Sequence, residues 1–399
     1  MENLQIRYIE AFPIEQDGEE FILLQDPEGF MERPLVISRD AAFIISLMDG
    51  SRTMRDIQAE YMRRFGQLIY IEHLERFVET LDKNLLLLNE NYYKFLDKLK
   101  KEYESEKVRQ PFLAGRSYPE NRMDLLVFLD SIFKEDGQPQ TGLETDITGV
   151  LAPHIDYNRG IEVYREVYRY LKGVSKPLIV ILGVSHRHTE KIINISLKDF
   201  ATPIDICRNS QVIGEYIKED PILSRYIDEW PHRGEHSIEL QLPLLQFVME
   251  DEFEILPILT GSMHEYILGI KPFPDREIEE ITERLRGVIE RYGKPFIILS
   301  GVDLAHIGEQ FGDRYPIDAL TLAQSKAKDE GLLESIRDVD AGRFFNLIKD
   351  EADRRRICGL TAIYLQLLLL KGTRCQITGY KQWSDGKSSV SFAGAIFSP

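Results

Sequence analysis

Histidines are concentrated in one part of the chain, directly after apolar segments. The segment ILGVSHRHTE changes abruptly from an apolar run to His186 and His188. In the same way, TGVLAP is followed by His154, and FIILSGV is followed by Asp303 and His306. Imidazole and carboxylate groups in such positions can bind a metal ion or act as general acid and base.

These three apolar runs have the length and composition of buried strands. Ligands of open α/β sheets bind beyond the carboxyl ends of the strands, where polar groups from neighbouring strands meet. The sequence therefore predicts that the histidines following the three runs converge on one edge of a sheet.

A second ionisable segment, EHSIELQLPLLQ, contains Glu235, His236 and Glu239. We predict that a helix starts here with Glu235 and His236 in its first turn. The partial positive charge of a helix N-terminus would keep His236 neutral, so that it can act as a base or bind substrate. Glu239 is interpreted as a supporting or an exposed carboxylate.

Cys358 directly precedes the long apolar segment LTAIYLQLLLL. A helix N-terminus and the three arginines at 354–356 would lower the pKa of its thiol, giving a thiolate that can bind metal or attack a substrate. The alternative is a small buried apolar residue. The chain has 3 cysteines and no CxxC pair, which argues against a disulfide framework or a structural zinc ribbon.

The length of 399 residues predicts two domains or one large domain with an attachment. Residues 1–93 contain short strands and three helices, ended by a closing strand LLLLNENYY, in a winged-helix-like α+β arrangement. Residues 94–111 are densely charged and predict a solvated linker helix. In residues 112–399 apolar strands alternate with helices, which predicts an α/β fold.

Composition excludes several classes of protein. A hydrophobic content of 43% and a charged content of 29% are typical of a soluble globular protein. The net charge of −17, without a basic block, argues against nucleic-acid binding. The first residues do not resemble a signal peptide, and the longest apolar run is too short for a membrane span. We therefore expect a cytoplasmic protein.

The N-terminal domain resembles the PqqD-like family. The resemblance is carried by LVISRDAAFIISLMDGSRTMRDIQAEYMRRFG and by LDKNLLLLNE further on. It implies a small fold that binds peptide segments and docks onto partner enzymes. The alternative is a generic three-helix accessory domain.

The second domain resembles the Memo family. The matching motifs are APHIDY, LGVSH, EHSIELQLPLLQ, SGVDLAHIG and ICG, in that order, with AGRSYPEN as an opening segment. The resemblance implies an α/β sandwich similar to that of extradiol-type nonhaem iron dioxygenases. It also implies a metal site formed by His154, His186 and Cys358, with Asp303 and His306 in the same pocket. His188 falls in a variable part of its motif, so His186 is the preferred ligand.

Two imidazoles and a thiolate would suit Fe(II) or copper, and zinc as well. A carboxylate would complete the usual oxygenase set, so the thiolate is a departure from the dioxygenase pattern. A further departure is CGLTAI after the cysteine, where relatives often have a basic CGRHPI. A donor that would contact an anionic substrate is thus missing from that position.

The resemblance suggests component B of an AmmeMemoRadiSam-type system, with radical SAM and AMMECR1-like partners. The first hypothesis is a metal-dependent oxidoreductase, in which His236 or His306 is the acid/base and Asp303 orients a histidine, with Glu235 in the same catalytic set. The second is a non-catalytic adaptor that binds a peptide or partner through the pocket and the PqqD-like domain. A cysteine–histidine hydrolase with Cys358 as nucleophile is the third.

Overall fold

A computed structural model divides the chain into two compact units, residues 1–105 and residues 106–399. Each unit has a hydrophobic core of its own. The structure describes residues 3–16, 18–31, 33–134, 146–187, 189–249, 251–315 and 317–399.

The described part of the first unit has a three-stranded antiparallel sheet and four helices. The predicted start of the second helix is confirmed: Thr53 and Asp56 form a reciprocal capping box, and Gly66 ends the helix in a left-handed conformation with φ of 66°. The elements are β1 (Glu10–Gln16), β2 (Glu19–Gln25), β3 (Leu35–Ser38), α1 (Arg39–Ser46), α2 (Met54–Phe65), α3 (Ile71–Lys83) and α4 (Glu90–Ser105).

The closing strand predicted for LLLLNENYY is wrong. Leu87 forms only an isolated bridge to Ile6, and Glu90 already begins helix α4. Strand β1, which the sequence analysis did not identify, is paired along its whole length with β2. Within this unit Phe95 of α4 packs edge-on against Phe30, with ring centroids 5.4 Å apart. The charged helix therefore has an apolar contact as well as a solvated side.

The second unit is built on a large mixed sheet, which has 11 strands in the described residues. The strand order is β12-β14-β5-β11-β6-β10-β9-β8-β4, with β13 beside β14 and β7 beside β10. Its strands are β4 (Val108–Arg109), β5 (Gly149–Ala152), β6 (Leu178–Val184), β7 (Ile193–Ile195), β8 (Asp199–Ala201), β9 (Ile206–Asn209), β10 (Glu254–Thr260), β11 (Phe296–Gly301), β12 (His306–Gly308), β13 (Arg374–Ser384) and β14 (Ser388–Ser398).

Helices cover both faces of this sheet. In β6 the side chains alternate: Leu178, Val180 and Leu182 enter one apolar cluster, whereas Ile179 and Ile181 enter another. This alternation follows from the two-residue period of a strand that is buried on both faces. The helices are α5 (Arg122–Phe133), α6 (Tyr157–Tyr168), α7 (Gln211–Glu219), α8 (Gln241–Val248), α9 (His264–Ile267), α10 (Arg276–Tyr292), α11 (Ala319–Arg337), α12 (Ala341–Asp350) and α13 (Leu360–Leu369).

Helices α5, α6 and α8 contribute to one cluster, and α7, α10, α12 and α13 contribute to the other. The predicted α/β fold is confirmed, with a sheet between two helical layers. In the described part of the chain, no helix combines the length and the apolar character that a bilayer span requires.

Strands β5, β11 and β6 are neighbours and run parallel. Their carboxyl ends therefore lie at one edge, as the sequence predicted. Gly301, the last residue of β11, lies against the backbone carbonyl of Ser237, and a Cβ at position 301 would collide with it. Glycine is needed here because the turn before α8 approaches the sheet so closely.

Candidate metal centre

Each of the three parallel strands presents a functional residue two positions after its last residue. His154 follows β5, His186 follows β6, and Asp303 follows β11. The structure thus brings together residues far apart in the sequence. The second histidine of the SHRH segment, His188, lies outside the described residues.

Three imidazoles meet at this edge. His154, His186 and His236 each offer a ligand atom, and these atoms lie within 4.8 Å of one another. The ring centroids are 5.0 Å apart for His154 and His186, 5.2 Å for His154 and His236, and 4.5 Å for His186 and His236. We call this group the imidazole cluster.

In each ring of the imidazole cluster the Nδ1 atom is already occupied. Nδ1 of His154 lies 2.9 Å from the Gly301 carbonyl oxygen, which can only accept a hydrogen bond. Nδ1 of His186 and Nδ1 of His236 lie 2.9 and 3.1 Å from Oε1 of Glu235. With the proton on Nδ1, each Nε2 keeps its lone pair, which is the arrangement that metal-binding histidines use.

Glu235 holds two of the three rings. Burial alone would raise the pKa of this carboxyl, but the charge of His186 and the hydrogen bonds from His186 and His236 outweigh it and hold the pKa well below its usual range. The carboxylate also accepts hydrogen bonds from the backbone amides of His186, His236 and Ser237. Glu235 therefore positions the two imidazoles and ties them to the same turn.

The protonation states of the rings reflect their surroundings. Burial, together with the neighbouring His186 and His236, lowers the pKa of His154 well below its ordinary value. For His186 burial acts in the same direction, but Glu235 overcomes it and raises the pKa. A buried neutral imidazole such as His154 can give its lone pair to a metal without losing a proton first.

The turn that carries Glu235 and His236 differs from the sequence prediction. Helix α8 starts only at Gln241, so these two residues lie before the helix and not in its first turn. Ser237 fixes the turn instead: its hydroxyl donates to the Val184 carbonyl oxygen and accepts from the Val184 amide, at 2.9 and 3.0 Å. Side-chain hydrogen bonds to the end of β6, and not a helix dipole, place His236.

Cys358 lies beside His154. Its sulfur is 3.6 Å from Nε2 of His154 and 3.5 Å from the carbonyl oxygen of Asp303. The residue directly precedes Gly359, the N-cap of α13, as predicted. The predicted lowering of its pKa is wrong, because burial and then the Asp303 carboxyl raise the pKa of this thiol well above its ordinary value.

Asp303 supports the loop after β5. Its Oδ1 accepts a hydrogen bond from the His154 backbone amide at 3.0 Å, and its Oδ2 lies 3.8 Å from His154 Nε2. The carboxyl is buried, which raises its pKa to about 7. The carboxyl bonds to the backbone of His154, whereas the carbonyl of Gly301 orients the His154 ring.

A cavity of about 430 Å³ opens onto the imidazole cluster. His306 lines it, with Nδ1 donating to the Leu304 carbonyl oxygen at 3.1 Å. Burial lowers the pKa of His306 to about 4. At neutral pH its Nε2 is therefore an uncharged proton acceptor.

Comparison with known proteins agrees with this geometry. Residues 109–396 match the family model described as Memo-like protein. The chain belongs to the Memo family. A MEMO1 family protein of Aquifex aeolicus (strain VF5) is 29% identical over 399 residues, which cover 98% of this chain and 99% of that protein. A MEMO1 family protein of Thermus thermophilus is 28% identical over 338 residues, which cover 84% of this chain and 94% of that protein.

This Memo family protein has a three-histidine cluster where the sequence predicted two histidines and a cysteine. His236, predicted as an acid/base, supplies the third imidazole, and Cys358 lies next to the cluster. Of the predicted catalytic residues, His306 and Asp303 line the cavity, whereas Glu235 contacts the Nδ1 atoms behind the rings. The role of Cys358 as the third metal ligand stays a prediction.

The sequence analysis left open whether Glu239 is a supporting or an exposed carboxylate, and it did not identify the partner of this residue. Glu239 is fully buried, and its carboxylate pairs with Arg109 at 2.5 Å. It also accepts hydrogen bonds from Tyr118 and from the backbone amides of Phe112 and Leu113. A signal did exist, because Glu239 is the only other acidic residue in EHSIELQLPLLQ, but nothing in the sequence indicated that Arg109 would be its partner.

Arg109 extends this support to the turn itself. Nη2 of Arg109 donates to the carbonyl oxygen of Glu235 at 2.7 Å, and its Nε donates to the carbonyl oxygen of His232 at 2.9 Å. The ion pair therefore holds the backbone from which Glu235 reaches the imidazoles. A buried pair that also satisfies five further hydrogen-bonding groups is costly to disrupt.

Proposed function

We propose that this Memo family protein is a metal-dependent redox protein with dioxygenase-like chemistry. The observation that carries the proposal is the common orientation of the three rings: Nδ1 is bound in each, so that Nε2 of each ring is available at the cluster. Three imidazole nitrogens with a thiol alongside suit Fe(II), copper or zinc.

His154 and His186 would hold the metal, together with Cys358 or His236. When bound, an Fe(II) or copper ion would supply one-electron chemistry with dioxygen, which the protein side chains lack. Glu235 and Gly301 orient the imidazoles by accepting hydrogen bonds from their Nδ1–H groups. His306 accepts a proton from substrate at Nε2, since its Nδ1 is engaged with Leu304.

Anaerobic reconstitution with Fe(II), Cu(I) or Zn²⁺, followed by elemental analysis, tests the metal site. The wild type should retain close to one equivalent of iron or copper, and His154→Ala should retain far less. His264→Ala, which removes an exposed histidine of α9, is the matched control. Equal metal retention by all three proteins would overturn the proposal.

Activity is tested separately from metal binding. Oxygen consumption by the iron- or copper-loaded wild type, in the presence of candidate substrates and reductant, should exceed that of the His306→Gln variant. The variant must retain its metal for the comparison to count. If zinc is retained in preference to both redox metals and oxygen consumption is nil, the redox assignment fails.

A second candidate function is a non-catalytic adaptor, for which the first unit provides an observation. Strand β1 is at the edge of its sheet and pairs with β2 on one side only, among the described residues. Such an edge can accept a peptide strand from a partner. By resemblance, the partners would be radical SAM and AMMECR1-like proteins of an AmmeMemoRadiSam-type system.

The adaptor function predicts that removing residues 1–105, which have their own core, abolishes capture of such partners. Metal retention by residues 106–399 should stay unchanged. Undiminished capture by the shortened protein would contradict this candidate.

A further inference from the structure

The charge distribution around the metal cavity is uneven. Besides its histidines, the lining has two carboxylates, Asp156 and Asp303, and a single Lys or Arg among the described residues, Arg159. Asp156 is engaged as the N-cap of α6, and Asp303 binds the His154 amide. Arg159 lies in the first turn of α6. Arg159 is an exposed residue of this helix.

Arg159 stacks on an aromatic ring and is exposed to solvent. Its guanidinium carbon lies 3.9 Å from the centroid of the Trp383 ring, and among the described residues no group accepts a hydrogen bond from it. The pKa of Asp385 is lowered first by hydrogen bonds from the backbone amides of Ser388 and Lys387 to its Oδ1, and Arg159 contributes least among the causes. Stacking uses one face of a guanidinium and leaves its in-plane N–H groups free.

We propose that Arg159 is the specificity-determining residue of this cavity and binds the carboxylate of a small, otherwise apolar substrate. This inference rests on the proposed function, because the substrate would react at the imidazole cluster that lines the same cavity. The planar fork of a guanidinium matches a carboxylate through two parallel hydrogen bonds. In this chain Leu360 follows Cys358-Gly359, where relatives often have a basic residue. Arg159 offers an anion-binding group that this position lacks.

The rest of the cavity indicates what is attached to that carboxylate. A volume of about 430 Å³ suits a small molecule and not a folded partner. In the metal-free protein, two carboxyl groups beside one guanidinium disfavour a dianionic phosphate, since Arg159 is the one Lys or Arg in the described lining. Much of the wall is apolar and would contact a ring or an alkyl chain: it includes Leu113, Ile155, Leu240, Phe311 and Val390.

Calorimetric titration of the full chain with matched probes tests this inference. The carboxylates are benzoate, phenylacetate and 3-phenylpropionate; benzyl alcohol is the neutral probe and phenyl phosphate the dianionic one. At least one carboxylate should bind the wild type more tightly than both of the other probes. Arg159→Gln should weaken that binding about tenfold or more, because a charge-assisted pair is lost. Arg159→Lys should be intermediate, since lysine keeps the charge but not the planar fork.

Arg291→Gln is the matched control, because Arg291 also stacks on an aromatic ring, 3.7 Å from the Tyr216 centroid, and does not line this cavity. It should bind the carboxylate as the wild type does. Each variant is first checked for an unchanged thermal unfolding midpoint. The inference is overturned if no carboxylate binds, if Arg159→Gln binds it as well as the wild type, or if phenyl phosphate binds more tightly.

The titrations are run with metal-free and with metal-loaded protein. Arg159-dependent carboxylate binding by a protein that retains no metal would leave this inference standing and remove the proposed function. If the protein retains metal and consumes oxygen, but Arg159→Gln binds the carboxylate as the wild type does, the proposed function stands and this inference fails. The two failures are therefore distinguishable.

Discussion

The two sides of the imidazole cluster differ in how burial acts on their ionisable groups. On the side of Glu235 an ionised carboxylate is fixed by backbone amides and holds the Nδ1 atoms of His186 and His236. On the side of Cys358 burial outweighs the hydrogen bonds that these groups make, so the pKa values of the thiol and of Asp303 are both raised. We refer to these as the Glu235 side and the Cys358 side.

On the Glu235 side the imidazoles are already oriented to bind a metal, whereas on the Cys358 side the thiol and the Asp303 carboxyl hold protons. On the Glu235 side a carboxylate lies behind the rings and makes their Nε2 atoms stronger electron-pair donors to a metal. The Cys358 side holds hydrogens in the metal-free protein, so the thiol must give up its proton before it can bind a metal. The comparison predicts that metal affinity depends more on Glu235 than on Cys358.

The largest expected effect comes from removing the support of the Glu235 side. Glu239→Ala leaves Arg109 as an unpaired charge in a site where both side chains are almost fully buried. We expect a loss of about 3–5 kcal/mol in the free energy of unfolding, together with loss of metal retention, because Arg109 anchors the Glu235 backbone. Denaturant unfolding and elemental analysis measure the two effects.

Asp26→Ala is the matched comparison for this variant. Asp26 pairs with buried Arg7 in the first unit, remote in sequence from the cluster. It should destabilise the first unit by a similar amount and leave metal retention by the second unit unchanged. If Glu239→Ala behaved like Asp26→Ala toward metal, the ion pair would be a purely structural feature.

In the metal-free protein the two carboxyl groups, Asp303 and Glu235, should contribute to the pH dependence of stability with opposite signs. Asp303 has a folded pKa of about 7 against an ordinary value of 3.8, so the folded state binds its proton more tightly. Its contribution to stability is present at low pH and declines as the pH rises towards 7, by at most about 1.4 kcal/mol per pH unit. Glu235, with a lowered pKa, stabilises the fold above its ordinary value of 4.5 and loses this effect in acid.

Denaturant midpoints of the metal-free protein between pH 4 and pH 8 measure these slopes. Asp303→Asn cannot ionise and should flatten the decline between pH 4 and pH 7 relative to the wild type. A wild type and an Asn variant with parallel curves would show that Asp303 is not a proton carrier in the folded state, and the contrast between the two sides would disappear.

An intermediate effect is expected for Glu235→Gln. Its amide group can accept only through one oxygen, and its NH₂ would face donors such as the His186 amide. Loss of a group that orients metal-binding histidines costs about 10–100-fold in metal affinity. Competition titration with a chelator measures the change, and Glu229→Gln, at another partly buried carboxylate with side-chain and backbone bonds, is the control.

The strand-end pattern of the sequence located much of this site. Buried strands of a parallel sheet bring the residues that follow them to one edge, so His154, His186 and Asp303 could be placed together before the structure was known. The Memo resemblance added Cys358 and the turn of His236. These predictions used local patterns, namely apolar runs and short motifs.

What could not be predicted depends on long-range pairing. Arg109 reaches Glu239 across 130 positions, and no local pattern identifies such a partner. The expectation of a helix N-terminus at His236 failed because Ser237 and Glu235 form side-chain hydrogen bonds that hold a turn instead. The pKa of Cys358 was predicted in the wrong direction because burial and the Asp303 carboxyl both raise it, while Arg355 and Arg356 form ion pairs elsewhere.

The smallest effect is expected for Cys358→Ser, which tests the comparison most directly. If the three imidazoles form the ligand set, the serine variant should lose less than tenfold in metal affinity, below about 1.4 kcal/mol. If the thiol binds the metal, its high pKa means that binding releases a proton which the serine variant does not release. Calorimetry in two buffers of different ionisation enthalpy counts that proton. A loss of affinity as large as that of Glu235→Gln, with one proton fewer released, would make Cys358 a ligand and end the distinction between the two sides.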